Sequence, residues 1–310
     1  IARAKLAAYA AAVAVLATGA YAVGTAIGPL PATATAAPAE EHRSMAEPAP
    51  AHGDEHGDEH RGAVDSLPAG LASSRDGYTM TPVDPNPTVG TATFAFRITG
   101  PDGAPVTAFE VAHEKRMHLI VVRRDSTGFQ HIHPEMAADG TWSVPLTVPV
   151  AGSYRAFADF APTGGEPTTL GVDLSVAGLY EPVTPAEGRV AQVDGYTVEL
   201  TGDLVAGRAS PVTLTVSRDG QPVTDLQPYL GAYGHLVALR HGDLAYLHVH
   251  PEGTPGDGVT PAGPGVEFVA EVPSAGTYRM FLDFQHGGVV RTAEFTVSTA
   301  GSPPATGTSG

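Results

Sequence analysis

The sequence predicts an all-β protein: two tandem immunoglobulin-like antiparallel β-sandwiches behind an N-terminal transmembrane helix. Three observations lead there. Beyond residue 75 the chain is a series of short alternating or apolar runs, punctuated by Gly, Pro, Asp and Asn at intervals of about 8 to 12 residues. No stretch of that part carries a convincing 3.6-residue hydrophobic period. The runs also occur twice, in a chain of 310 residues, which is comfortable for two domains of about 100 to 150 residues. Cupredoxin-like sandwiches are the alternative that shares these signals.

Residues 1–30 come first. LAAYAAAVAVLATGAYAVGTAIGPL, residues 6–30, contains no charged side chain. As a helix it would extend about 37 Å, enough for a hydrocarbon core of about 30 Å. Arg3 and Lys5 precede it, so the positive-inside rule places everything after Leu30 outside the cytoplasm. The expectation is a single-pass membrane protein. The alternative is secretion after cleavage at the small-x-small pattern Ala34-Thr35-Ala36.

Residues 31–75 are rich in Ala, Pro, Glu and His and poor in bulky apolar side chains, which predicts a flexible stalk. Within it AHGDEHGDEHRG spaces His52, His56 and His60 four apart among carboxylates, while Gly53 and Gly57 oppose a helix. This is a solvated acidic spacer or a mobile metal-collecting tract.

The remainder is a duplication. DGYTM (76–80) matches DGYTV (194–198), and GAPVT (103–107) matches GQPVT (220–224). His118-Leu119 matches His235-Leu236, and HIHPE (131–135) matches HVHPE (248–252) at the same offset of 117 positions. VAGSYRAFADF (150–160) then matches SAGTYRMFLDF (274–284), so the second copy carries an insertion within GTPGDGVTPAGPG. The strands of the first copy, residues 76–178, are ATFAFRI, HLIVVRR, TWSVPLTV and YRAFADF; those of the second, 193–298, include VTLTVS, HLVALR, VEFVAEV, YRMFLDF and AEFTVS. Residues 179–192 form the linker and 299–310 a flexible tail.

Composition then limits function. Asp and Glu number 33 against 17 Lys and Arg, a net charge of -16, which disfavours nucleic-acid binding and suits cations. Cysteine is absent, so there are no disulfides, no thiol nucleophile and no blue-copper site. HEKRMH (113–118) has one residue too many for a zincin helix, and no G-x-S-x-G elbow occurs. An enzyme is not expected, although a metal-dependent hydrolase using Glu135 or Glu252 as base stays open as a third reading.

The histidines carry the strongest signal. On a strand, residues i and i+2 share a face about 6.5 to 7 Å apart, so His131 with His133, and His248 with His250, can converge on one ion at about 2.0 to 2.1 Å from each nitrogen. His118 and His235 begin the strand that returns beside each pair and are the natural third ligands. Asp159 and Asp283 lie within apolar runs, where a carboxylate needs a metal or an ionic partner such as Arg155 or Arg279. His113, Met117 and His286 occur in one copy only and are additional candidates, as are the stalk histidines. The expected arrangement is one site per sandwich. Imidazole with carboxylate suits Cu(II), which the affinity order favours, Zn(II) or Ni(II), and loading should weaken below about pH 6. The alternative class is a cell-surface interaction module with structural histidines.

HEKRMHLIVVRRDSTGFQHIHPE with DGTW and YRAFADF, and GAYGHLVALRHGDLAYLHVHPE with YRMFLDF, resemble a group of exported bacterial proteins described as secreted or heavy-metal-binding and associated with copper-handling neighbours. The resemblance covers residues 76–298. It implies an immunoglobulin-like sandwich and places the family's matched positions at His118, His131, His133 and Asp159, with His235, His248, His250 and Asp283. His113 and Met117 fit the first copy only. Metal buffering, sensing or delivery to a membrane metal transporter is the expected role.

Overall fold

The computed structural model describes residues 67–247 and 249–300. The expected membrane segment, the stalk as far as residue 66 with His52, His56 and His60, His248, and the tail beyond 300 lie outside the described residues. Those described are all strand and turn, without a helix. The first sandwich contains β1 (Ser74–Arg75), β2 (Tyr78–Pro82), β3 (Gly90–Thr99), β4 (His118–Arg123), β5 (Gln130–Ile132), β6 (Glu135–Met136), β7 (Thr141–Val148), β8 (Gly152–Phe160) and β9 (Thr168–Val176). The second contains β10 (Val190–Val193), β11 (Tyr196–Thr201), β12 (Ala209–Arg218), β13 (Gln221–Pro222), β14 (His235–Arg240), β15 (Tyr246–Leu247), β16 (Val249–Pro251), β17 (Gly265–Glu271), β18 (Thr277–His286) and β19 (Val289–Ser298).

In the first sandwich one sheet is ordered β1-β2-β3-β7-β6 and the other β5-β4-β8-β9; in the second the orders are β10-β11-β12-β17-β16 and β15-β14-β18-β19. Setting aside the short leading strands, both follow the A-B-E-D and C′-C-F-G arrangement of immunoglobulin-like domains. Each also has the corner that closes such a sandwich: the Tyr154 hydroxyl donates to the Val150 carbonyl at 2.8 Å, and Tyr278 to Ser274 at 2.7 Å. Tyr154→Phe is expected to cost about 0.5 to 1.5 kcal/mol in urea unfolding without changing the fold. A loss too small to resolve would show the corner to be incidental.

The alternation of each strand divides its side chains between two layers. Leu119 and Val121 of β4 join Phe96, Trp142, Tyr154, Ala156 and Phe160 in the first core, while Tyr278, Met280, Leu282 and Phe284 of β18 face the second. The other faces of the same strands meet each other. Ile120, Val122 and Phe157 pack with Val237, Leu239, Leu244, Tyr246 and Phe281 in a third buried layer. Every residue of β4 is therefore buried, which is why HLIVVR reads as apolar on both faces. Phe129 stacks on Phe281 across this junction at 4.0 Å between ring centroids.

The segment preceding β1 differs from the expected stalk, which was to run to residue 75. From Leu67 the chain belongs to the fold. The Tyr246 N–H donates to the Ala69 carbonyl at 3.0 Å, and the Arg155 guanidinium donates to the Gly70 carbonyl at 2.6 Å. A Cβ at Gly171 would stand 2.0 Å from that carbonyl, so only glycine allows this approach. The segment thus straps the first sandwich to the second.

Candidate metal centre

Three imidazoles of the first sandwich converge on the face of β4 and β5 that meets the second. Ile120 pairs with His131 in the β4–β5 ladder, which brings His118 and the His131/His133 pair onto one face. His118 Nδ1 lies 3.1 Å from His131 Nε2 and 3.2 Å from His133 Nε2, and one nitrogen from each ring falls within a 4.8 Å span. An ion about 2.0 to 2.1 Å from each of three nitrogens, at angles between right and tetrahedral, sets them roughly 2.9 to 3.4 Å apart.

The outward nitrogens fix which atoms carry lone pairs. His118 Nε2–H donates to the Ala112 carbonyl at 3.1 Å, leaving Nδ1 as an acceptor. His131 Nδ1–H donates to Asp283 Oδ2 at 2.8 Å, turning Nε2 toward His118. Such anchoring to a carbonyl and a carboxylate is the usual surrounding of metal-bound imidazole. Two acceptors facing each other at 3.1 Å require a positive centre between them, either a proton or a metal ion. On His118 and His133, burial disfavours the proton. Desolvation, with neighbouring imidazoles adding to it, lowers the His118 pKa to about 4 and the His133 pKa to about 3.

The turn before β4 supplies the carbonyl. His113 (φ 47°) and Glu114 (φ 63°) are consecutive left-handed residues, and the Ala112 and Lys115 backbones bond each other across them. Leu230 and Gly231 make the same turn in the second copy, where the Leu230 carbonyl accepts from His235 Nε2–H at 3.0 Å. Non-glycine residues held in this region store strain that commonly accompanies functional sites. HEKRMH is thus a hairpin turn running into a strand. A surface hollow of about 400 Å³ is lined by His133, Glu135 and Ser143 among others, and so borders one member of the trio.

The remaining candidates are placed as follows. Imidazoles sharing an ion have ring centroids about 5 Å apart, and the trio shows 5.3, 4.9 and 4.8 Å. His235 stands 6.5 Å from His118 and 6.3 Å from His131, outside that set, and 5.1 Å from His113. Burial lowers its pKa to about 4. His248 and the side chain of His250 lie outside the described residues. Asp159 pairs with His118 in register and accepts the Thr169 hydroxyl at 2.9 Å. Asp283, expected to serve its own sandwich, instead reaches His131 of the first.

Two candidates are corrected. Met117 is 1% exposed and packs into the first core, on the opposite strand face from His118. His286 donates from Nε2 to Asp225 at 3.0 Å, and its Nδ1 lies 2.7 Å from the Tyr196 hydroxyl, so both ring nitrogens are engaged away from the trio. The alternative pairing of the aspartates with Arg155 and Arg279 is also not adopted. Arg155 takes Asp173, and Arg279 takes Glu294.

Sequence reasoning missed three neighbours. Tyr229 lies 6.4 Å from His133 and 6.2 Å from His235 between centroids, and desolvation followed by the Asp283 charge raises its pKa to about 12. Thr169 and Thr292 hold the two aspartates, but they stand 123 positions apart where the strands before them are offset by 124, so the alignment hides them.

A family model described as a domain of unknown function (DUF8832) matches the chain twice, over residues 73–178 and 191–301. No curated protein matches. Among solved structures, a protein of Corynebacterium diphtheriae described as membrane anchored is 11% identical with a TM-score of 0.22, over 74% of this chain and 60% of that one. Invasin, a bacterial integrin-binding protein, is 15% identical with a TM-score of 0.21, over 70% and 39%. The Ig1-2 module of the Drosophila receptor protein tyrosine phosphatase DLAR is 8% identical with a TM-score of 0.20, over 71% and 97%. The chain thus spans less than two thirds of the first two of these proteins.

Proposed function

Since the chain belongs to the family of the domain of unknown function (DUF8832), which it carries in two copies, we propose that this member is an extracytoplasmic metal-binding protein that buffers, senses or delivers a divalent ion without catalytic turnover. The convergence of His118, His131 and His133 nitrogens at 3.1 and 3.2 Å carries the reading. Three imidazole donors suit Cu(II) or Zn(II), and the affinity order favours Cu(II). A soft Cu(I) cage has little support, with no cysteine in the chain and Met117 turned into the core. The apolar segment 6–30 supports attachment to a membrane, facing outward. A metal transporter in that membrane is the proposed recipient.

The test is a titration of the untagged protein with Cu(II), Zn(II) and Cu(I) against a competing chelator. One ion at the trio, lost on His118→Ala, is the expected result. No competition by the protein for any of the three ions would leave the histidines structural and favour a cell-surface interaction module.

A further inference from the structure

All three ligands belong to the first sandwich, yet the group that orients one of them belongs to the second. We infer that Asp283 is a positioning residue for the His118, His131 and His133 site, and that ion binding and docking of the two sandwiches reinforce each other; this rests on the metal-binding reading above.

The carboxylate of Asp283 and the ring of His131 are each 4% exposed and joined at 2.8 Å. Thr292 donates its hydroxyl to Oδ1, leaving Oδ2 for the His131 Nδ1–H. The guanidinium of Arg279, four residues away on the same face of β18, is bound to Glu294, the Thr296 hydroxyl and the Phe295 and Ser126 carbonyls. Asp283 therefore gets no charge compensation from that side. A buried carboxylate of this kind is stabilised by the imidazole N–H and by any cation on the far side of the ring. Separating the sandwiches would free His131 to take the other tautomer, whose protonated Nε2 cannot ligate an ion. Whatever strengthens docking must then strengthen binding, and binding must strengthen docking by the same factor.

Asp283→Asn tests this in the whole protein, because an amide that keeps its oxygen on Thr292 presents N–H to His131 and favours the wrong tautomer. The expected result is Zn(II) and Cu(II) affinity lowered about 10- to 100-fold, with nitrogen NMR showing the His131 ring proton moved from Nδ1 to Nε2. Zn(II) should also slow hydrogen exchange in β14 and β18 of the wild-type protein, and this effect should vanish in the variant. Should the amide variant fail to fold, Thr292→Val, which removes one bond from the same carboxylate, is expected to weaken binding several-fold. Affinity within twofold of wild type in the folded variant, with His131→Ala/His133→Ala still abolishing binding, overturns the inference and leaves the site intact. Binding that survives the histidine pair overturns both.

Discussion

Replacing His131 and His133 together by alanine is expected to abolish the rise in melting temperature that Cu(II) or Zn(II) produces in the wild-type protein. An ion held at 100 times its dissociation constant stabilises the folded state by about 2.7 kcal/mol. For a unit of this size that is about 5 to 10 °C. The variant loses two of three nitrogens, and a single His118 imidazole cannot keep the ion. Its resting stability will fall as well, because Asp283 loses the N–H that reaches it at 2.8 Å and is left as a buried carboxylate with one partner fewer, at a cost of about 1 to 3 kcal/mol. The decisive quantity is therefore the shift caused by metal in each protein, measured by calorimetry. A shift of wild-type size in the variant would remove the trio from consideration.

The second large effect is on pH. His118, His133 and His235 have pKa values lowered by burial to about 4, 3 and 4, against 6.5 in the unfolded chain. Below pH 6.5 the unfolded chain takes up protons that the folded one refuses, so stability of the metal-free protein falls as pH drops from 6.5 toward 4, with His133 continuing the fall to about 3. The total is on the order of a few kcal/mol once the partial solvent access of His133 is allowed for. The paired carboxylates of Asp125 and Asp243 have lowered pKa values and lose their contribution only below about pH 4, so the fall above pH 4 belongs to the histidines. Urea midpoints between pH 7.5 and 4.5 measure the first. Midpoints that hold constant there, or that fall equally in His118→Asn/His133→Asn/His235→Asn, would exclude the histidines as the cause. The same burial means that above about pH 5 His118 and His133 have no proton to release when a metal binds.

Much of the site was legible because it depends on a period of two. The i, i+2 spacing of His131 and His133 puts them on one face, and the strand beginning at His118 returns beside them. The same parity, applied one residue back, assigns Met117 to the core face, and applied three residues on from Asp283 it turns His286 away from the junction. Those two candidates could have been set aside from the sequence. The reach of Asp283 to His131 could not, because it joins residues 152 apart in different copies. A tandem repeat suggests that each copy completes its own site, and no local pattern says otherwise. Nor did composition reveal that Leu67 to Ala72 are held, since their bonds go through backbone carbonyls that carry no sequence signature.

By itself the sequence determined the strands, their sandwich class, the duplication and the donors that share a face, since alternation and turn chemistry act over a few residues. The full burial of β4 was also written there, as an apolar run with no polar face. What covers its outer face was not. Only the tertiary structure brought Ile120, Val122 and Phe157 against Val237, Leu239 and Phe281, and with them a carboxylate of one sandwich against an imidazole of the other. The reason is physical: hydrophobic burial has no direction, so it demands that an apolar face be covered but leaves the choice of cover to shape complementarity between surfaces far apart in the chain.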